Sequence, residues 1–136
     1  MKPVSVLDRV AEEDSALDRA RQLQQAAASV GFDWPDVAAV WLKVREEIEE
    51  LDVALAGGQR AEIQDELGDV LFALVNLLRK TGLDPAVALE STNRKFIRRF
   101  QAMERAAWAD GSDLSREPLV NQLQRYRLAK AECLDH

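Results

Sequence analysis

The sequence predicts an all-α fold, a helical bundle built on an antiparallel hairpin of two long helices. Apolar residues recur at spacings of three and four, the alternation typical of strands is absent, and Ala, Leu, Glu and Arg dominate. Gly and Pro stand at wide intervals and divide the chain into segments of helical length. Since 136 residues is the length of one ordinary domain, we expect a single domain over residues 1–136.

The glycines and prolines set the bounds of the first two helices. The first is predicted over residues 6–30, because Gly31 follows as a C-cap residue. The second begins at Asp33-Trp34-Pro35, with Asp33 as N-cap and Pro35 in the first turn. It ends at Gly57-Gly58, and this short connection makes the next helix its antiparallel neighbour.

Three more helices are predicted downstream. They cover about residues 60–81, residues 84–108, where Asp84-Pro85 repeats the start signal, and residues 118–132. The second and third helices carry apolar stripes with the spacing of core-facing seams in bundles. The stripes consist of Val37, Val40, Val44, Ile48, Leu51 and Leu55 in the second helix, and of Ile63, Leu67, Val70, Leu71, Leu74 and Leu78 in the third.

The composition limits the classes of partner. With 24 acidic against 18 basic residues, the net charge of −6 argues against non-specific binding of nucleic acid or an anionic membrane. No apolar run is long enough to span a membrane, and no signal peptide is visible at the N-terminus. The lone Cys133 has no internal disulfide partner, so a reducing cytoplasm is the expected compartment.

Four carboxylates form the main candidate site. Glu47 and Glu50 are three residues apart and share a helix face, as do Glu66 and Asp69. Both pairs border an apolar stripe, so an antiparallel hairpin can bring the four together. Converging carboxylates repel unless a cation balances them. Oxygen ligands suit Mg²⁺, or Mn²⁺ in its place. Four carboxylates leave part of the metal's coordination shell open, so that a triphosphate and a water molecule can bind there.

Two observations bear on this interpretation. Glu-rich helices are often solvated faces, and the spacing of Lys43 and Glu47 fits such a face, so a non-catalytic interaction module stays an alternative. The only histidine is His136, at the end of the sequence. Di-iron carboxylate bundles, catalytic zinc sites and Ser-His triads all need histidine, so the sequence argues against these three classes.

Basic, amide and aromatic residues complement the acids. Lys95 and Arg99 are four residues apart and form either a phosphate clamp or a solvated face, and Lys43 has the same two interpretations. Asn76 lies two turns after Asp69 and either orders a ligand or satisfies a neighbouring helix. Tyr126 either stacks on a base or packs in the core or an interface.

These residues together resemble the MazG-type nucleoside triphosphate pyrophosphohydrolases of the all-α NTP pyrophosphatase superfamily. The likeness covers about residues 17–132. Its motifs are Gly31-Phe32-Asp33-Trp34, Trp41-x-Lys43-Val44-x-Glu46-Glu47-Ile48, Glu46-Glu47-x-x-Glu50, Glu66-x-Gly68-Asp69-x-Leu71-Phe72-Ala73, Val75-Asn76-Leu77 and Asn93-x-Lys95-Phe96-x-x-Arg99-Phe100.

The resemblance implies a single catalytic domain with Mg²⁺-dependent hydrolysis of NTPs or dNTPs between the α- and β-phosphates, as in house-cleaning of nucleotide pools. Narrower relatives act on dUTP, dCTP or phosphoribosyl-ATP. The implied residues are the metal ligands Glu47, Glu50, Glu66 and Asp69, the phosphate contacts Lys43, Lys95 and Arg99, and Tyr126 beside the nucleotide, where relatives have Trp. Glu46 is a further candidate for holding the water or a second metal. Relatives also pair through the hairpin into four-helix cores, so we expect a homodimer or higher homo-oligomer.

Overall fold

The computed structural model describes residues 3–12 and 15–133, and all regular secondary structure within them is helical. The predicted all-α class is confirmed. Within these two ranges, five α-helices and two 3-10 segments follow one another. The α-helices are α1 (Ala16–Ala28), α2 (Val37–Gly57), α3 (Arg60–Lys80), α4 (Pro85–Ala109) and α5 (Leu119–Glu132), and the 3-10 segments are Val6–Arg9 and Leu114–Arg116.

The first predicted helix, over residues 6–30, is wrong in its N-terminal half. The structure has a 3-10 segment over Val6–Arg9, and Val10 after it is extended. The α-helix starts only at Ala16, because the hydroxyl of Ser15 accepts a hydrogen bond from the Asp18 N–H and caps the first turn. Side-chain caps of this kind fix a helix start that hydrophobic periodicity alone does not reveal.

The predicted start of α2 is also wrong. Asp36, and not Asp33, is the N-cap, since its carboxylate accepts a hydrogen bond of 2.8 Å from the Ala39 N–H. Pro35 therefore precedes the cap instead of lying in the first turn. Asp33 forms a two-point ion pair with the guanidinium of Arg79 in α3. A carboxylate forms stronger hydrogen bonds with a charged guanidinium than with the neutral N–H groups at the start of a helix.

The remaining boundaries agree with the prediction to within two residues. Asp84 opens α4, since its carboxylate accepts hydrogen bonds from the N–H groups of Ala86 and Val87. Gly58 ends α2 in the left-handed conformation, with φ of 72°. Glycine reaches this conformation without steric cost, and the chain then reverses directly into α3.

The chain divides into two compact units, Met1–Val87 and Ala88–His136, with the boundary inside α4. In the first unit α2 and α3 lie side by side, and α1 packs against α3 and against the segment Val6–Arg9. Its core consists of the buried residues Val40, Val44 and Ala73, with Trp34 and Leu77 packed against them. The α2–α3 pair is therefore the frame of this unit.

The second unit has an apolar cluster of its own. It consists of Met103 and Ala107 from α4, Leu114 from the second 3-10 segment and Ala129 from α5, with Ala102 and Tyr126 packed against it. The segment before α5 is joined to α5 by an ion pair between Glu117 and Arg125. The guanidinium of Arg125 donates to both carboxylate oxygens of Glu117, at 2.7 and 2.9 Å. Burial and ion pairing together hold the C-terminal helix in this unit.

The predicted apolar stripes are divided between core and surface. Val40 and Val44 are buried, but several other stripe residues are exposed, from 37% for Leu74 to 61% for Leu71. The exposed members on α2 and α3 are Val37, Ile48, Leu55, Leu67, Leu71 and Leu74. We call this set the apolar face. These six residues were predicted to face the core, but no other described residue of the chain covers them.

The ion pair between Asp33 and Arg79 is expected to stabilise the first unit. The hydrogen bond from Arg79 lowers the pKa of Asp33 from 3.8 to about 2, against an opposing effect of desolvation. Because the folded-state pKa is the lower one, the stabilisation is present above pH 3.8 and is lost as the pH falls towards 2. Since the Asp33 side chain is 24% exposed, we expect Asp33→Asn to cost only about 1 kcal/mol at neutral pH.

Urea unfolding at neutral pH and near pH 2 measures the contribution of this ion pair to the free energy of unfolding. The matched control is Asp52→Asn, which removes an exposed charge from α2. A variant Asp33→Asn that is as stable as the wild type at neutral pH would contradict the assignment.

Candidate active site

Three of the four predicted carboxylates meet where α2 and α3 lie side by side. Glu47 comes from α2, and Glu66 and Asp69 come from successive turns of α3. Each offers one carboxylate oxygen, and these three oxygens lie within 4.8 Å of one another. Glu47 is buried, Glu66 is partly buried and Asp69 is exposed, so the cluster opens from the helix pair towards solvent.

The fourth carboxylate, Glu50, is exposed and interacts electrostatically with Glu47 and Glu66. The charge of Glu47 is the first cause that raises the pKa of Glu50, and desolvation is the second. The pKa of Glu66 is raised as well, first by desolvation and then by the charges of Glu50 and Asp69. Mutual repulsion of this kind is what a bound cation removes.

Two oxygens of the cluster lack hydrogen-bond donors. Oε2 of Glu47 and Oε2 of Glu66 are both buried and accept no hydrogen bond from residues 3–12 and 15–133. A buried carboxylate oxygen without a partner is costly, and native structures compensate such atoms with donors or metal ions. The donor set is made of oxygen alone, so these residues fit a hard divalent cation such as Mg²⁺.

Lys43 lies one turn before Glu47 on α2, and Glu46 directly precedes Glu47. The Lys43 ammonium is 2.8 Å from Oε1 of Glu47 and 3.4 Å from Oε2 of Glu46. The hydrogen bond with Glu47 is the main cause that raises the pKa of Lys43. Glu47 therefore uses one oxygen for the lysine and leaves the other for the cluster, whereas Glu46 faces the lysine and is not part of the cluster.

The other basic candidates, Lys95 and Arg99, and the aromatic candidate Tyr126 belong to the unit Ala88–His136. Lys95 and Arg99 occupy successive turns of α4, and Nη1 of Arg99 donates a hydrogen bond of 3.3 Å to the hydroxyl of Tyr126. The structure thus brings two of the predicted substrate contacts together. Phe96 and Phe100 stack with their ring centres 5.8 Å apart, and both are exposed.

Asn76 lies in a different setting from the basic candidates. It is 9% exposed, and its Oδ1 accepts a hydrogen bond of 3.0 Å from Nη2 of Arg79. Together with Trp34 and Phe72 it lines a cavity of about 500 Å³ in the first unit. Gln24 also lines this cavity. Sequence reasoning missed it, because a glutamine in an Ala- and Gln-rich helix carries no distinguishing signal.

Residues 36–103, half of the chain, match the MazG nucleotide pyrophosphohydrolase domain. The chain belongs to the MazG family. The matched range contains all the acidic candidates, together with Lys43, Asn76, Lys95 and Arg99, whereas Tyr126 lies beyond it. None of the helices in residues 3–12 and 15–133 is long and apolar enough to cross a bilayer.

Curated relatives extend the likeness beyond the matched range. This chain is 41% identical over 111 residues to a nucleoside triphosphate pyrophosphohydrolase/pyrophosphatase MazG of Thermotoga maritima. These residues make up 82% of this chain and 42% of the relative. This chain is 37% identical over 133 residues to a nucleoside triphosphate pyrophosphohydrolase of Escherichia coli, which is 96% of this chain and 51% of the relative. The chain therefore spans about half the length of these relatives, or less.

Proposed function

We propose that this chain is an enzyme that hydrolyses nucleoside triphosphates to the monophosphate and pyrophosphate with the help of Mg²⁺. Membership of the MazG family and the names of its relatives support this reaction. The observation that carries the proposal is the cluster of Glu47, Glu66 and Asp69, two of whose buried oxygens have no donor.

The carboxylates have the first role in the proposed mechanism. Glu47, Glu66 and Asp69, together with Glu50, would hold Mg²⁺, or Mn²⁺ in its place. When bound, such a metal supplies charge to polarise the phosphoryl oxygens and to activate a water molecule. The water oxygen bonds to the α-phosphorus, the bond from that phosphorus to the bridging oxygen breaks, pyrophosphate leaves and the water proton passes to solvent.

Positively charged side chains have the second role. Lys43 is already poised beside Glu47, so its ammonium can reach a phosphate oxygen near the metal. Glu46, which holds the other side of Lys43, acts in this proposal by positioning the lysine. Lys95, Arg99 and Tyr126 form a second group of substrate contacts, in which the Tyr126 hydroxyl orients the guanidinium. Asn76 is the substrate contact on α3.

Lys95→Ala and Arg99→Ala are each expected to raise KM about tenfold, because each removes a charge-assisted hydrogen bond to phosphate. Steady-state kinetics with pyrophosphate detection measures the change. The matched control is Arg94→Ala on the same helix, since Arg94 is 72% exposed and pairs with Glu90 one turn away. If both variants keep the wild-type KM and kcat, Lys95 and Arg99 do not contact the substrate and their role is structural.

The proposed enzyme is a homodimer joined through the apolar face. Monomeric proteins rarely expose large contiguous apolar patches, and such patches mark interaction sites. The six exposed residues of the apolar face therefore support a pairing through this face. A symmetric pair would place the same face of both subunits together, so that the two α2–α3 pairs form a four-helix core with two equivalent sites.

A pyrophosphate-release screen tests the proposed function. Standard and damaged dNTPs and NTPs, together with dUTP, dCTP and phosphoribosyl-ATP, are incubated with the chain in the presence of Mg²⁺ or Mn²⁺. We expect pyrophosphate and a nucleoside monophosphate in equal amounts from several of them, and none after chelation of the metal. No release from any substrate with either metal would instead support a non-catalytic interaction module.

A further inference from the structure

The cavity beside Asn76 has the properties of a small-molecule pocket. It measures about 500 Å³, which is within the range of ligand sites. Residues from the loop before α2, from α1 and from α3 line it, all within the unit Met1–Val87. Its walls include the rings of Phe32, Trp34 and Phe72, so most of the surface is apolar with a few polar groups at fixed places.

Gln24 supplies an unused hydrogen-bond acceptor at this pocket. The side chain is only 5% exposed, and its Nε2 donates a hydrogen bond of 2.9 Å to the backbone oxygen of Phe72. Because a carbonyl oxygen accepts only from a donor, this contact fixes which end of the amide is nitrogen. The other end, Oε1, is buried and has no donor among the residues that the structure describes. Buried acceptors in native proteins normally have a partner, and here a ligand can supply it.

Asn76 supplies the complementary donor. Its Oδ1 accepts from Arg79, which leaves the Nδ2 amide group as the end available to a ligand. Arg79 is itself held by Asp33, so the orientation of Asn76 is set by an ion pair and not by the ligand. The pocket therefore presents an acceptor from Gln24 and a donor from Asn76 between aromatic rings.

The position of the pocket relates it to the carboxylate cluster. On α3, Asn76 follows Asp69 by seven residues, which is two turns along the same face and about 10 Å at the rise of an α-helix. A nucleotide whose phosphates lie at the carboxylates spans this distance with its ribose, so that its base arrives at the pocket.

We propose that this pocket binds the nucleobase of the substrate and that Gln24 is a specificity-determining residue. Oε1 of Gln24 accepts from an N–H group of the base, Nδ2 of Asn76 donates to an adjacent acceptor, and the rings of Trp34 and Phe72 cover the base. The substrate class is nucleotides whose base carries an N–H donor next to an acceptor. This inference rests on the proposed function, because it assigns part of the same site.

The test compares ligands that differ by one donor, so that the wild-type protein decides it without a mutation. Binding of adenosine monophosphate and of purine riboside monophosphate, which lacks the amino group, is measured by titration calorimetry. The ratio of kcat/KM for the two triphosphates is measured in parallel. We expect the adenine nucleotide to be favoured at least tenfold in both measurements, because purine riboside leaves Oε1 of Gln24 unpaired.

The variant Gln24→Leu, of similar size, is expected to abolish this preference, while Gln25→Leu, an exposed neighbour on α1, keeps it. Equal binding of the two monophosphates by the wild-type protein, or a preference that survives in folded Gln24→Leu, would overturn the inference. Failure of the proposed function has a different signature, namely no pyrophosphate from any triphosphate. The calorimetric comparison still decides the role of Gln24 in that case.

Discussion

Asp69→Asn and Glu50→Gln are each expected to lower kcat at least a hundredfold while the circular dichroism spectrum stays helical. Each change removes one charge from the group of oxygens that would hold the metal, and metal-assisted hydrolysis depends on that charge for stabilisation of the transition state. Neither residue belongs to the buried core, so folding is not the cause of the loss. The measurement is pyrophosphate release at saturating substrate and Mg²⁺.

The same variants have a second expected property. Without Mg²⁺ they melt at the same temperature as the wild type or higher, because each removes one of the charges that raise the pKa of Glu66. With Mg²⁺ the wild type gains thermal stability, since a ligand that binds only the folded state stabilises it, and the variants gain less. The matched control is Glu49→Gln, an exposed acid on α2 outside the cluster. Near-wild-type turnover in either variant would refute the metal-site assignment.

The homodimer is expected to have twice the chain mass of 15.2 kDa when measured by light scattering at micromolar concentration. Leu71→Glu should shift the protein to monomer. Leu71 is the most exposed residue of the apolar face, and a carboxylate cannot be buried there without a partner.

The control for this shift is Val120→Glu, which changes a residue that is 70% exposed on α5, outside the apolar face. It should remain dimeric. An active wild-type monomer would exclude a dimer as the working unit. A monomer produced by Val120→Glu and not by Leu71→Glu would move the interface to the second unit.

The parts of the fold that the sequence predicted well depend on local signals. Asp84 before Pro85 marks the start of α4 through contacts within its own first turn. The carboxylate pairs are recognised because a spacing of three residues places both members of a pair on one helix face. A two-residue reversal then brings the pairs together, as the structure shows for Glu47, Glu66 and Asp69.

Apart from the missed start of α1, which depends on the local cap of Ser15, the errors concern interactions between residues far apart in the chain. Asp33 has the residue type and position of an N-cap, but its carboxylate pairs with Arg79, which lies 46 residues later in the chain. Gln24 is meaningful only once Phe72 and Asn76 lie beside it, 48 and 52 residues later. The exposure of the apolar face is also hidden in the sequence, because periodicity shows that a face is apolar and not what covers it.

The short turn between α2 and α3 has a consequence for how the chain folds. Glu47, Glu66 and Asp69 all lie within residues 47–69, so the loop that closes to bring them together is small and loses little chain entropy. Contacts between near neighbours in sequence form fastest in small domains. The carboxylate cluster can therefore assemble before the long-range pair of Asp33 and Arg79 is in place.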